Sequence, residues 1–211
     1  MTACHRPPAM RVLNICVAFH KMDQRLHDLP ARFITATRQM TTKIFIQKHH
    51  LQDAERINRE LLAGFLAHYQ DSDVKRTHLF NGRYENIYLS ETQLPALASV
   101  LEQARTHASA ISGQHNIRAG GWFNYMPPGA VTTAHRHDDD DELLSAVYYV
   151  SVPPGSGKLI IHQAGEPVSI TPQAGMFVFF PPDAVHEVSE NTSTQARLSI
   201  GINFGPVDED D

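Results

Sequence analysis

Basic residues are in short supply. The 211-residue chain sets 18 lysines and arginines against 23 acids, for a formal charge of −5. That balance argues against nucleic acid as a partner. Long apolar runs are missing as well, and nothing approaches the roughly 20 residues that span a bilayer, so no membrane role is expected. The only cysteines are Cys4 and Cys16, which implies no disulfide framework and a cytoplasmic protein. With 42% hydrophobic and 19% charged residues, what remains is a globular chain long enough for one good core.

The chain changes character near residue 40. Residues 1–39 carry Pro7-Pro8, scattered His and Arg, and neither a helical nor a strand period, so they are expected to be a disordered extension. Residues 40–116 read as the helical N-terminal part of the domain that follows. A short strand is expected at 43–47. A helix over 52–69 brings Ile57, Leu61, Leu62, Phe65, Leu66 and Tyr69 to one side. The stretch 71–83 is polar and ends in the turn pair Asn81-Gly82, and 84–89 reads as extended. A second helix, capped by Thr92 with Pro95 in its first turn, carries Leu94, Leu97, Leu101, Ala104 and Ala108 and closes at Gly113.

From 117 to 207 the pattern is all strand. Segments at 117–126, 131–137, 144–152, 158–163, 167–171, 176–180, 185–189 and 196–204 are punctuated by Pro127-Pro128-Gly129, Pro153-Pro154-Gly155 and Pro181-Pro182-Asp183. Strands so spaced predict a double-stranded β-helix, or jelly roll, with the two helices packed on one sheet: mainly β, in the α+β class.

Candidate chemistry gathers at three places. His135 and His137 stand two residues apart, so a strand would aim both at one spot. Alone, the pair fits a solvated charged loop as well as a metal site, because five acids, Asp138 to Glu142, follow it. His186 opens a later strand after an apolar run and a proline turn. In a jelly roll those strands reach the same barrel mouth. Arg197 and Ser199 share one face of the last strand, opposite Leu198 and Ile200. An inward arginine there needs a bidentate acidic partner, which one of the chain's many acids or a bound carboxylate could supply.

Taken in order, Trp122-Phe-Asn124-Tyr125, Gly129, His135-x-His137, Leu144-Ser145 through Val150, Gly157-Lys-Leu, Phe180-Pro181, His186-Glu-Val188, Arg197-Leu-Ser199 and Asn203-Phe204 resemble an Fe(II)- and 2-oxoglutarate-dependent oxygenase related to prolyl hydroxylases. The resemblance spans residues 122–204. It implies C–H hydroxylation, with His135 and His186 on iron. Arg197, helped by Ser199, would hold the distal carboxylate of 2-oxoglutarate. Tyr149 is similar to the strand tyrosine that reaches that carboxylate, and Tyr125 to the tyrosine beside the cosubstrate. The family pattern places Asp or Glu two residues after its first histidine, and here that position is His137. The site is therefore read as His135, His137 and His186, with a register shift to Asp139 as the other choice.

A rival reading starts from the same residues. Gly129-x5-His135-x-His137-x4-Glu142 and Gly175-x5-Pro181-x4-His186 also resemble the two cupin motifs, with Glu142 as a fourth ligand to Mn, Fe, Ni or Zn. A cupin does not require Arg197-x-Ser199. A third class, a metal-stabilised binding module without turnover, stays open too. The prime substrate is unreadable: peptide, amino acid and small metabolite all fit, and a homodimer is left open. A chain shortened to begin at Met40 is expected to melt cooperatively and to take up metal like the full chain. Loss of the cooperative transition on thermal denaturation would sink that expectation.

Overall fold

The computed structural model describes residues 44–137 and 141–207. The chain divides into residues 1–40 and 41–211, and the first of these units, with the expected extension, lies outside the described residues. The described residues open with β1 (Gln47–His50), α1 (Ala54–His68), β2 (Lys75–Phe80), β3 (Arg83–Tyr88) and α2 (Ala96–Ser112). The strands β4 (Ile117–Met126), β5 (Thr132–His135), β6 (Leu144–Ser151) and β7 (Leu159–Ile161) follow. Last come β8 (Val168–Ile170), β9 (Met176–Phe180), β10 (His186–Val188) and β11 (Arg197–Pro206).

Period-two alternation builds two antiparallel sheets from these strands. The larger runs β1-β9-β6-β11-β4-β3-β2 and the smaller β5-β10-β7-β8, which together form the expected jelly roll. In β9 all five residues are apolar and buried because both faces are covered. Phe177 and Phe179 sink into the cluster beneath the helices, while Met176, Val178 and Phe180 join Tyr149, Leu159 and Ile161 inside the barrel. The last strand sorts the same way: Leu198, Ile200, Ile202 and Phe204 meet the helical layer, leaving Arg197, Ser199 and Gly201 to line the interior.

Both helices lie on the larger sheet, α1 against β6 and α2 against β4 and β6. Ile57, Leu61 and Phe65 are the buried stripe of α1. Asn58 joins that stripe because its side-chain oxygen accepts from the buried Tyr148 hydroxyl at 2.6 Å. The second helix ends at Gly113, whose φ of 72° is the left-handed closure that favours glycine. Its start differs from expectation. The helix begins at Ala96 with Pro95 at the N-cap position and no side-chain cap. Ser90 instead closes the turn before it: its Oγ accepts from the Gln93 N–H at 3.3 Å, and its own N–H donates to Gln93 Oε1 at 2.9 Å.

All eight strands expected after residue 117 are present. Two departures lie earlier. The first strand falls at Gln47–His50 rather than 43–47, since pairing with β9 sets it, and Ile44 and Ile46 pack against the barrel interior instead. The polar stretch 71–83 contains β2, hairpinned to β3 through Asn81 and Gly82, both at positive φ (47° and 75°) as a type I′ connection requires. As an edge strand with Leu79 63% exposed, β2 carries no apolar alternation to reveal it. Phe65, fully buried between the rings of Tyr69, Phe123 and Tyr125, is the keystone of the helical layer. Phe65→Ala is expected to cost about 3–5 kcal/mol, read as a lowered urea midpoint; a loss below about 1 kcal/mol would contradict this packing.

Candidate active site

Strand pairing assembles the histidines. Strands β5 and β10 run antiparallel with His135 directly opposite His186, so the two side chains project as a cross-strand pair from one face. His137 follows two residues later, its backbone N–H donating to the Pro182 carbonyl at 2.8 Å. The ring centroids lie 4.3 to 5.2 Å apart, and one candidate ligand atom from each residue falls within 4.8 Å of the others. Backbone carbonyls select the tautomers. Nδ1 of His135 donates to Thr133 O at 2.8 Å and Nδ1 of His186 to Ala184 O at 2.9 Å. A carbonyl only accepts, so each ring keeps its Nε2 lone pair free for a metal. Burial pushes His186 down to about 3, the Ala184 hydrogen bond opposing and the two neighbouring histidines assisting. It is therefore neutral at physiological pH, and this donor set suits a first-row divalent cation.

The histidines open into a pocket of about 480 Å3 whose far wall is the larger sheet. There Arg197 is 1% exposed, and its Nε and Nη1 have no hydrogen-bond partner among the described residues. The buried Tyr149 hydroxyl has none either. The guanidinium carbon sits 5.5 Å from the Tyr149 ring centroid. Ser199, 2% exposed, lines the same pocket and pairs across strands with Tyr149. Burial lowers the Arg197 pKa, the Tyr149 phenol raises it, and the Arg83 guanidinium lowers it further; an arginine nonetheless stays charged. Burial pushes the Tyr149 phenol up to about 12, with Arg197 opposing, so it remains a donor. Three unmatched donor atoms around one buried cation fit a bound carboxylate.

Other candidates fall elsewhere. Among the described residues the metal-competent cluster holds the three histidines alone, and Asp139 lies outside the described residues. Glu142 does not join the cluster: its Oε1 accepts from Asn203 Nδ2 at 3.1 Å. Tyr125 is not brought to the pocket. Odd positions of β4 face the helices, so Phe123 and Tyr125 pack on Phe65, whereas the even positions Trp122 and Asn124 line the pocket. Sequence reasoning missed Asn124, although the alternation already separated it from Tyr125. Trp122 lies over Gly201, where an added Cβ would come 2.6 Å from the indole, and its ring is 5.4 Å from that of His137. Outside Trp122, Asn124 and Thr132 a groove of about 940 Å3 opens along His78, Glu85, Asn86 and Tyr88 of the β2–β3 hairpin.

Residues 121–205 match the family model of the 2OG-Fe(II) oxygenase superfamily. The barrel resembles that superfamily. The match implies Fe(II) and 2-oxoglutarate and favours this reading over the cupin alternative. Its fold is similar to that of a Pseudomonas putida prolyl-4-hydroxylase, with TM-score 0.64 and 22% identity over 77% of this chain and 94% of that one. A prolyl hydroxylase from Trichoplax adhaerens, in complex with a hypoxia inducible factor peptide fragment, aligns with TM-score 0.60 and 16% identity over 76% and 83%. The epimerase SnoN, in complex with Fe3+, alpha ketoglutarate and nogalamycin RO, aligns with TM-score 0.62 and 15% identity over 77% and 79%. At these identities the likeness is one of fold. No curated protein matches the chain. Among the described residues no helix is long and apolar enough to cross a membrane.

If the three rings act together, His135→Ala, His137→Ala and His186→Ala are each expected to abolish most Co(II) or Fe(II) affinity, while Glu142→Ala leaves it near wild type. Titration followed by Co(II) ligand-field absorption reads this out. An unchanged His137→Ala would remove that residue from the ligand set.

Proposed function

We propose that His135, His137 and His186 hold Fe(II), and that Arg197, Ser199 and Tyr149 hold the distal carboxylate of 2-oxoglutarate, for hydroxylation of a substrate lying in the outer groove. The observation that carries this reading is one pocket with an imidazole cluster at one end and, at the other, a buried guanidinium two of whose nitrogens lack a partner among the described residues. Together Fe(II), 2-oxoglutarate and dioxygen supply oxidation of a C–H bond to an alcohol, with the cosubstrate leaving as succinate and carbon dioxide.

The chain's own residues do the positioning. Arg197 offers a buried guanidinium with unmatched N–H groups to the carboxylate, and Tyr149 adds a protonated phenol beside it. The Thr133 and Ala184 carbonyls fix two of the imidazoles in the tautomer that leaves Nε2 as the ligand. Val147, Leu159, Phe180 and Val188 make the remaining walls apolar, which keeps water from the chamber and strengthens each charge contact inside it. Substrate reaches the metal end from the groove side, past Trp122 and Thr132, which line both spaces.

Arg197→Ala is expected to weaken 2-oxoglutarate binding about ten- to more than a hundredfold, as loss of charge-assisted hydrogen bonds of roughly 1.5–3 kcal/mol implies. Arg197→Lys keeps the charge, loses the fork and should fall between. Calorimetric titration into anaerobic Mn(II)-loaded protein measures both. A wild type that holds metal but binds no 2-oxoglutarate would refute the proposal.

A further inference from the structure

Asn124 stands where the inner pocket and the outer groove share a wall. It pairs across strands with Ser199, two residues from Arg197, and its other neighbour Thr132 begins the strand that ends at His135. Its position is therefore between the carboxylate end of the chamber and the histidines. The orientation of its amide is fixed by chemistry. Arg83 Nη1 approaches one side at 3.1 Å, and a guanidinium has only donors, so that side is the carbonyl oxygen. The amino group must then face the other way, where Nδ2 donates to Thr132 Oγ1 at 3.4 Å. Thr132 is free to accept because its own hydroxyl donates to the Met126 sulfur at 3.9 Å. An amide nitrogen carries two N–H groups, and among the described residues it makes only this one donor bond.

Arg83 is itself held firmly. Nη2 donates to Glu85 Oε1 at 2.7 Å and to the Val131 carbonyl at 2.8 Å, and Nη1 also reaches the Tyr125 carbonyl at 3.4 Å. With 14% of its side chain exposed, it clamps the hairpin, the Val131 loop and β4 at one point.

We propose that Arg83 is a positioning residue of the cosubstrate chamber: it turns the Asn124 amide so that its remaining N–H donates to 2-oxoglutarate. This rests on the oxygenase reading. It adds a contact from the opposite wall to Arg197 and makes the hairpin part of the chamber's construction.

The test is calorimetric titration of 2-oxoglutarate into the anaerobic, Mn(II)-loaded full chain, with thermal melting in parallel. Asn124→Ala is expected to weaken binding about tenfold, the worth of one hydrogen bond to a charged acceptor. Arg83→Met, which keeps the stem and removes the donors, should lose a similar factor, and Arg83→Lys should recover part of it. The double variant Arg83→Met/Asn124→Ala should bind no more weakly than Asn124→Ala alone, since both changes remove one contact. A purely structural Arg83 would lower the melting temperature and leave affinity alone. Wild-type affinity in Asn124→Ala or Arg83→Met, or losses that multiply in the double variant, would overturn the proposal. Should Arg83→Met fail to fold, Asn124→Ala still decides, because unchanged affinity there overturns the proposal. A wild type that binds no 2-oxoglutarate overturns the oxygenase reading and takes this proposal with it. Normal wild-type binding, with a loss in Arg197→Ala but none in Asn124→Ala, sinks this proposal alone.

Discussion

A buried guanidinium with no carboxylate partner among the described residues is the constraint on which this barrel turns. Arg197 is 1% exposed, and two of its nitrogens lack partners. Leaving a charge so placed costs several kcal/mol. The fold does not avoid that cost; it shapes the interior around it. The alternation of β11 sends Leu198, Ile200 and Ile202 to the helical layer and leaves Arg197, Ser199 and Gly201 on the pocket wall. Tyr149 gives the cation an aromatic neighbour but cannot neutralise it. A bound carboxylate can, and on the proposed reading the buried charge of Arg197 would contribute affinity for the cosubstrate. Binding to the folded state alone then stabilises the chain by mass action.

The same charge accounting bears on the metal end. Three imidazoles, with His186 held neutral by burial, bring no negative charge to a divalent cation. The other nearby guanidinium, Arg83, is answered by Glu85 at 2.7 Å. A chamber of this kind carries more positive charge than one with a carboxylate among its ligands. At an effective dielectric near 20 a unit charge at 4 Å is worth about 4 kcal/mol. On the proposed ligand set, a dianionic cosubstrate would be drawn more strongly than in a site with one carboxylate.

How much of this could be read from residues alone follows from where periodicity speaks. The strands of the barrel carry alternating or wholly apolar runs between proline turns, and all of those expected from 117 onward are present. His135, His137, His186, Arg197, Ser199 and Tyr149 meet in one pocket because each lies on such a strand or just beyond its end. Tyr125 and Asn124 show the limit. One residue of register separates a ring packed on Phe65 from an amide on the pocket wall, and the family resemblance pointed to the ring. Of the β2–β3 hairpin the turn and the extended 84–89 were legible, but β2 was not, for a different reason. An exposed edge strand buries no face, so nothing in its composition has to alternate.

That difference in legibility follows the division of labour in the site. The inner chamber is built by buried strands, where burial dictates each residue and the dictate can be read back. Trp122 closes it, seated on a glycine because no side chain at 201 would leave room for the indole. Beyond Trp122 the groove is walled by the hairpin and by residues such as Thr133 and Arg136 that face solvent. Burial places no demand on those positions, so they can answer to the substrate alone. The chemistry of this chain is therefore written in its core, and its choice of substrate on a surface that the core does not constrain.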